Sequence, residues 1–290
     1  MAAARLPSTD LPATDLPRVA EALEMIAPRW SVWVLMTLAS QPGPLRYTKL
    51  KEHLPWLADG QLHPRLRALS EAGLVDRTAQ TRLHVTYGLT ARGRELMPSL
   101  TALANWGDAH LEKNLVLNRV TGKAEPERIP AAQNAEDTLT VIGHRHATVL
   151  LWTLKSRGTT TMAALSAEAM ADRGPSAVYS PIRRLIDDGI VSISRDDVAS
   201  LQLTAPGRAL APVYLALSTW ATARPLPDAE THPVWGTPRI PAAARSGQWA
   251  GHQARKTSQA VAVRQPPAPA PVTAWRVGEL FSAATTGPSR

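Results

Sequence analysis

Apolar residues recur at helical spacing over most of the first 110 positions, and prolines, glycines and turn-forming residues interrupt them at short intervals. Four such amphipathic stretches predict four short helices. Their apolar positions are Val19, Leu23 and Ile26; Trp30, Val34, Leu35 and Leu38; Tyr47, Leu50 and Leu54; and Leu62, Leu66 and Leu69. Two alternating stretches at 74–78 and 83–89 then predict a β-hairpin. The apolar stripe of 96–106 predicts a long closing helix that begins near Thr90.

The same pattern occurs a second time, about 116 residues further along the chain. The clearest pairs of similar blocks are 69–75 (LSEAGLV) with 185–191 (LIDDGIV), and 89–94 (LTARGR) with 203–208 (LTAPGR). Trp106 matches Trp220 in the same order. A period of this length indicates two tandem copies of one fold, because solenoid repeats are only 20–50 residues long.

Three helices, a fourth after a tight turn, a β-ribbon and a closing helix are typical of a winged helix-turn-helix. We therefore predict a mainly α fold with small β-wings (α+β), built from two tandem winged helix-turn-helix domains and followed by a disordered C-terminal tail. The predicted divisions are a flexible N-terminus at 1–16, domain 1 at 17–114, a linker at 115–134, domain 2 at 135–224 and a Pro/Ala-rich tail at 225–290. Residues 17–114 are called the first repeat and residues 135–224 the second repeat.

Composition excludes several classes of protein. The chain has no cysteine, which excludes disulfides and thiolate chemistry, and no apolar stretch of about 18 residues that would span a membrane. Residues 1–16 lack the apolar core of a signal peptide, so we expect a cytoplasmic protein. The net charge of +8 suggests a polyanionic partner, yet 226–290 holds 7 Lys and Arg against 3 Asp and Glu, which is half of the excess. Local placement of charge must therefore support any nucleic-acid site.

Four blocks of the first repeat resemble the HxlR family of bacterial winged-helix transcriptional regulators. They are 22–30 (ALEMIAPRW), 65–75 (RLRALSEAGLV), 87–93 (YGLTARG) and 104–107 (ANWG). The resemblance implies a regulator that binds double-stranded DNA, usually as a homodimer joined through its terminal helices. The second repeat matches more loosely, with His146 where the family has tryptophan. The family's usual Cys-Pro is Leu16-Pro17 here, so thiol sensing is not expected.

A recognition helix needs hydrogen-bond donors on the face opposite its leucine stripe, because base edges and phosphates present mainly acceptors. The candidate DNA-binding residues are Gln61, His63, Arg65 and Arg67 on the fourth helix, Thr48 and Lys49 on the third, and Arg82 and His84 on the wing. Arg65 is the strongest candidate for base contact, whereas Arg67 is equally consistent with a pair to an acidic neighbour. Pro64 interrupts this helix, so we expect the regular helix to start at 60–62 with a bent first turn.

The second repeat carries Asp196 and Asp197 at its predicted wing tip, where the first has Arg82. Carboxylates there would repel phosphates. We therefore expect the first repeat to be the stronger reader, and the second to be a weak half-site reader or a pseudo-dimer partner. The closing helices 96–106 and 210–220 of one chain would pair intramolecularly in that pseudo-dimer; a homodimer is the other arrangement.

No motif for catalysis, a metal or a cofactor is present, so none is predicted. The alternative function is a winged-helix scaffold for protein–protein interaction, with the tail and its 275–281 segment as a docking arm. The tail contains three of the nine tryptophans, Trp235, Trp249 and Trp275. The sequence names no operator and leaves any small-molecule effector unknown.

Overall fold

A computed structural model describes residues 15–81, 84–171, 173, 176–194, 199–223 and 232–236. The first repeat contains α1 (Asp15–Ile26), α2 (Ser31–Ala39), β1 (Leu45–Arg46), α3 (Tyr47–His53), α4 (Asp59–Glu71), β2 (Val75–Thr81), β3 (His84–Leu89), α5 (Ala91–Glu95) and α6 (Met97–His110). A short hairpin follows, β4 (Leu115–Leu117) and β5 (Ala124–Pro126). The remaining elements are α7 (Ala131–Ile142), α8 (Ala147–Arg157), β6 (Thr160–Thr161), α9 (Met162–Ala169), α10 (Ser176–Asp187), β7 (Val191–Ser194), β8 (Ser200–Leu203), α11 (Ala205–Arg208) and α12 (Ala211–Thr222). The protein is thus mainly helical with small sheets, as expected of the α+β class.

Each repeat contains a three-stranded antiparallel sheet with the same connectivity. The strand order is β1-β3-β2 in the first repeat and β6-β8-β7 in the second. Tyr87 of β3 lies between Leu45 and Arg77, and its counterpart Leu201 lies between Thr160 and Ile193. The outer strands β1 and β6 were not predicted, because two residues are too few to show an alternating pattern.

The repeated Leu-Thr-Ala-x-Gly block joins the wing to the closing helices. Thr90 Oγ1 accepts the N–H of Gly93 (2.9 Å) and donates to the carbonyl of Gly73 (2.7 Å). Thr204 Oγ1 makes the equivalent pair of bonds in the second repeat. A Cβ at Gly93 would lie only 2.2 Å from the carbonyl oxygen of Leu74. The block therefore combines a helix cap with a position where the backbone leaves no room for a side chain.

The closing helix of the first repeat differs from the single long helix expected from its apolar stripe. It is divided at Leu96 into α5 and α6, and Pro98 occupies the first turn of α6. Proline is tolerated in a first turn, where its missing N–H costs no helical bond, so a helix restarts there readily.

Helix α4 starts earlier than the 60–62 predicted from Pro64. It begins at Asp59, because the carbonyl of Ala58 already accepts the N–H groups of Gln61 (2.9 Å) and Leu62 (3.0 Å). Pro64 consequently lies beyond the first turn and removes one helical hydrogen bond, a change that typically costs about 3 kcal/mol. The buried leucine stripe (Leu62, Leu66 and Leu69) offsets this cost by removing three large side chains from water.

Residues 115–134, predicted as a linker, form the β4–β5 hairpin and the first turn of α7. Asn118 holds the hairpin turn, since its Oδ1 accepts the N–H of Val120 (2.8 Å) and its amide donates to Glu125 (2.8 Å). Leu115, Leu117 and Val120 remain exposed. The hairpin therefore presents an apolar surface rather than packing on the core.

The first helix of each repeat packs against the other repeat. Helix α1 lies on α12 and α8, while α7 lies on α6 and α2. Two indoles also form hydrogen bonds from one repeat to the other. Trp106 Nε1 donates to the carbonyl of Pro206 (3.0 Å), and Trp220 Nε1 donates to the carbonyl of Arg92 (2.9 Å). Arg92 and Pro206 are themselves equivalent positions of the repeat. The contacts are thus reciprocal, as in an isologous two-fold interface, and one buried cluster runs through both repeats.

A short segment of the region predicted to be a disordered tail is packed on the second repeat. Trp235 is 2% exposed and lies against Trp152 of α8 and Tyr214 of α12. The low apolar content of 225–290 predicts disorder on average, but one large aromatic side chain is enough to fix a few neighbouring residues. The predicted 275–281 docking segment lies outside the described residues.

Among the described residues, no helix is long and apolar enough to cross a membrane.

Candidate nucleic-acid interface

The outer face of α4 carries three of the four predicted recognition residues. Leu62, Leu66 and Leu69 are buried against the core, which leaves Gln61, His63 and Arg67 on the exposed side of the helix. Their side chains supply amide, imidazole and guanidinium groups, the types that bind base edges and phosphates.

His63 is held by stacking on the neighbouring helix. Its ring lies parallel to that of Tyr47 of α3, with 4.1 Å between centroids and 2° between planes. The Tyr47 hydroxyl donates to Asp59 Oδ1 (2.7 Å) at the start of α4, and burial and this carboxylate raise the pKa of Tyr47. No local pattern predicts this pairing, because the two rings are 16 positions apart in the chain. It fixes α3 against the amino-terminal end of α4, so the predicted third- and fourth-helix residues share one surface.

Two cationic residues on this surface, Arg67 and Lys49, are paired with acids on their own helices. Arg67 Nε lies 2.8 Å from Glu71, which is the pair with an acidic neighbour that the sequence left open for this residue. Lys49 Nζ lies 2.9 Å from Glu52. All four side chains are largely exposed, and exposed ion pairs contribute roughly 0–1 kcal/mol. A phosphate can therefore replace these carboxylates at little cost. Thr48 is exposed beside Lys49.

Arg65, the strongest sequence candidate, lies at the edge of the buried stripe instead of on the outer face. Its Nε is buried with no hydrogen-bond partner among the described residues, and burial lowers the pKa of its guanidinium while the charge of Glu136 acts in the opposite direction. At about 100° per residue, position 65 lies next to Leu69 around the helix, so a helical wheel contains this signal. The prediction that Arg65 lies on the polar face rested on its residue type alone and did not take its helical position into account.

Glu136 comes from α7 of the second repeat and is only 9% exposed. Its two carboxylate oxygens accept the backbone N–H of Trp30 (2.5 Å) and the indole N–H of Trp33 (3.1 Å). Trp30 has a φ of 75°, in the left-handed region that such residues rarely adopt, and the bond to Glu136 stabilises it there. A carboxylate of the second repeat thus holds the amino-terminal end of α2 in the first repeat. Its charge also acts on Arg65 of α4.

The wing is formed by β2 and β3. His84 is exposed, with Nδ1 3.1 Å from Thr81 Oγ1, and Arg77 is exposed on β2 opposite Tyr87. Arg82 lies outside the described residues, as do Asp196 and Asp197, so the predicted contrast between the two wing tips stays a prediction.

Helix α10 of the second repeat has a different surface from α4. Arg183 and Arg184 are each near an acid one turn along, Asp187 (3.9 Å) and Asp188 (3.8 Å). Arg184 also donates to the carbonyl of Thr140 on α7 (3.1 Å). The position equivalent to Arg65 is Pro181, and the one equivalent to His63 is the exposed Tyr179.

No group of three or more His, Asp or Glu side chains that could hold a metal ion occurs within the described part of the chain.

The fold of the first repeat and the exposed polar face of its α4 define a helix-turn-helix transcriptional regulator. Residues 25–128 match the HxlR-like helix-turn-helix family. The chain is 33% identical over 89 residues to the uncharacterized HTH-type transcriptional regulator YdzF of Bacillus subtilis, which covers 30% of this chain and 81% of that protein. It is 33% identical over 91 residues to an uncharacterized HTH-type transcriptional regulator of Methanothermobacter thermautotrophicus, covering 31% of this chain and 68% of the relative. It is 27% identical over 98 residues to the HTH-type transcriptional regulator YodB of Bacillus subtilis, covering 33% of this chain and 86% of that protein. The chain belongs to the HxlR-like helix-turn-helix family. No solved structure matches it.

Proposed function

We propose that this protein is a sequence-specific transcriptional regulator that reads the major groove of double-stranded DNA through α4 of the first repeat. The observation that carries the proposal is the outer face of α4, where Gln61, His63 and Arg67 are exposed opposite a fully buried leucine stripe. Gln61 and Arg67 are the base-reading candidates, because amides pair with adenine and guanidinium with guanine. Thr48 and Lys49 of α3, with Arg82 and His84 of the wing, are the phosphate contacts that set the register of the helix.

Arg65 takes a different role in this proposal from the one its position in the sequence suggested. Its buried Nε and its proximity to Glu136 favour a function in holding α4 against the second repeat. It would then affect DNA affinity through the orientation of α4 and without touching a base.

The two repeats act in this proposal as tandem winged helix-turn-helix domains joined in an intramolecular pseudo-dimer. The reciprocal bonds of Trp106 and Trp220, and the exchange of α1 and α7, support a two-fold arrangement within one chain. Homodimeric regulators place two reading helices about one turn of DNA apart, and the second repeat would take the partner's position here. Because Arg184 is tied to the carbonyl of Thr140 on α7 and Tyr179 stands where the first repeat has His63, the second repeat is proposed as the weaker reader.

Selection of bound sequences from a random duplex library, using the full chain, tests the proposal. The expected outcome is one enriched motif, bound about 10³-fold or more tighter than random duplex at physiological salt. Gln61→Ala should relax the preference at one base position, whereas Lys49→Ala should weaken all duplexes alike and lower the salt slope by about 1. Enrichment of no motif, together with equal affinity for all duplexes, would refute sequence-specific reading.

A protein–protein scaffold remains the second candidate because of the β4–β5 hairpin. Leu115 and Leu117 are 69% and 70% exposed on one side of β4, and adjoining exposed apolar side chains are typical of a protein-interaction surface. A scaffold of this kind would show weak duplex binding at any salt concentration, whereas a DNA reader loses affinity steeply as salt rises. Titrating salt in the duplex-binding assay therefore separates the two functions.

A further inference from the structure

The second repeat contains an aromatic pocket that the first repeat lacks. Trp152 of α8 and Tyr214 of α12 face each other edge-on, with ring centroids 6.0 Å apart. The equivalent positions of the first repeat are Met36 and Leu100. At these two positions aromatic rings therefore occur only in the copy that is the weaker candidate for DNA contact.

Trp235 fills this pocket from outside both repeats. Its indole is stacked on Tyr214 with 4.4 Å between centroids and 16° between planes, and meets Trp152 edge-on at 6.0 Å. Lys155 Nζ lies 6.0 Å from the same indole. Stacked and edge-to-face ring pairs each add to the stabilisation that burial of an aromatic side chain gives, and a cation over the ring face adds an electrostatic attraction.

The residues before Trp235 form a turn that presents the indole. His232 Nδ1 accepts the backbone N–H groups of Val234 (3.1 Å) and Trp235 (2.9 Å), and the N–H of Gly236 bonds the carbonyl of His232 (3.0 Å). The turn is thus held by its own hydrogen bonds, which lowers the entropy cost of binding such a short segment.

The same segment contacts both repeats. His232 Nε2 lies 3.4 Å from Ser218 Oγ of α12 and 3.7 Å from Asp15 Oδ2 of α1, and Ser218 donates to that carboxylate (2.7 Å). The segment therefore lies where the first helix of one repeat crosses the last helix of the other.

The indole nitrogen of Trp235 is buried without an acceptor. Its Nε1 has no hydrogen-bond partner in the described part of the chain, although buried indole N–H groups usually find one. An unsatisfied donor weakens the contact relative to water, which favours a segment that can exchange with a competing peptide.

We propose that the second repeat contains a peptide-binding site for a tryptophan-bearing turn, and that residues 232–236 of the same chain are its ligand. The site is formed by Trp152, Lys155 and Tyr214, with Ser218 and Asp15 receiving the histidine of the turn. This inference does not depend on DNA binding.

The experiment measures binding of a fluorescein-labelled peptide with the sequence of residues 231–238 (THPVWGTP) to full-length protein by fluorescence anisotropy. The Trp235→Ala chain has an empty pocket and should bind the peptide saturably. Wild type should bind about tenfold more weakly or worse, because its own segment competes for the site. Trp249→Ala, the same change elsewhere in the carboxy-terminal region, is the matched control and should behave as wild type. A peptide with alanine in place of its tryptophan should not bind.

Two results would overturn the proposal: no saturable binding to a folded Trp235→Ala chain, or equal binding to this variant and to wild type. If Trp235→Ala fails to fold, a chain that keeps Trp235 and has a protease site inserted at 226–228 replaces it. After cleavage, the carboxy-terminal fragment should co-elute in gel filtration with the amino-terminal part that contains both repeats. Excess peptide should displace this fragment. A fragment that separates at once and does not rebind would equally refute the site.

Discussion

The carboxylate of Glu136 accepts the indole N–H of Trp33 across the boundary between the two repeats, at 3.1 Å. It also accepts the N–H of Trp30 and is the acid whose charge acts on Arg65. One buried side chain of the second repeat thus binds two residues of the first and acts electrostatically on a third.

Replacing Glu136 with alanine should destabilise the whole chain. The change leaves the buried indole N–H of Trp33 and the half-buried backbone N–H of Trp30 without an acceptor, each at a cost of about 1–3 kcal/mol, and removes the acid whose charge acts on Arg65. Urea unfolding followed by circular dichroism should therefore show a loss of about 2–5 kcal/mol in one cooperative transition. A loss confined to one of two separate transitions would contradict the coupling of the repeats.

A double-mutant cycle between Glu136→Gln and Arg65→Met tests whether the two residues interact. We expect a coupling free energy of about 0.5–3 kcal/mol in unfolding, the range for residues in one electrostatic network. Arg67→Met, on the same helix but paired with Glu71, is the control and should be additive with Glu136→Gln. Additivity at both positions would remove Arg65 from the proposed inter-repeat role.

Trp106 and Trp220 should contribute similarly to stability. Phenylalanine at either position keeps most of the apolar surface but removes the reciprocal hydrogen bond, at an expected cost of about 0.5–1.5 kcal/mol. The measurement is the urea midpoint of each single variant, combined with light scattering. Both variants and wild type should be monomeric at micromolar concentration if the pseudo-dimer replaces a homodimer, and a tight wild-type dimer would argue against that replacement.

Arg67 and Glu71 should have opposite effects on DNA affinity. Arg67→Ala should weaken binding to the selected motif by about 1–3 kcal/mol if the guanidinium reads a base. Glu71→Ala should strengthen binding, because it frees Arg67 and removes a negative charge from the surface facing the phosphates. Titration of labelled duplex at two salt concentrations gives both values. Unchanged affinity in both variants would exclude this face of α4 from the interface.

Stability should fall in mild acid through His232. Burial lowers the pKa of this imidazole below its ordinary value of 6.5, against the opposing charge of Asp15, and Nδ1 accepts two N–H bonds only when unprotonated. The folded state therefore favours the neutral ring. This contribution is complete above about pH 6.5 and is lost as the pH falls through the lowered pKa, because the unfolded chain then binds more protons.

Thermal melts between about pH 5 and 8 measure this loss. Burial lowers the pKa of His144 as well, so wild type must be compared with both single asparagine variants. His232→Asn should flatten part of the pH dependence, and His144→Asn should leave that part in place. An unchanged profile in His232→Asn would show that the ring does not titrate with folding.

The helices of both repeats were predictable from sequence because their leucine stripes are local and periodic. Thr90 and Gly93 were visible as a repeated block, and the structure supplies the reason for the block: a side-chain cap and a close backbone approach to Leu74. The orientation of Arg65 was also predictable from the sequence, because position 65 lies beside Leu69 around the helix. That prediction depends on the helical position of the residue and not on its type.

Other features could not be predicted from periodicity. A stripe indicates that a face is buried but not which element covers it, so the packing of α1 on α12 left no local signal. Stacking of His63 on Tyr47 depends on the angle between two helices, and docking of Trp235 on Tyr214 depends on a turn in a region of low apolar content. In each case a single long-range contact outweighs the average character of its segment.

The exchange of first helices also affects the order in which the chain can fold. Helix α1 is synthesised long before its partner α12, which begins at Ala211 near the end of the second repeat. Closing so long a loop slows folding, and the part of the α1 face that packs on α12 stays uncovered until the second repeat has been synthesised. The interface between the two repeats therefore forms late in folding.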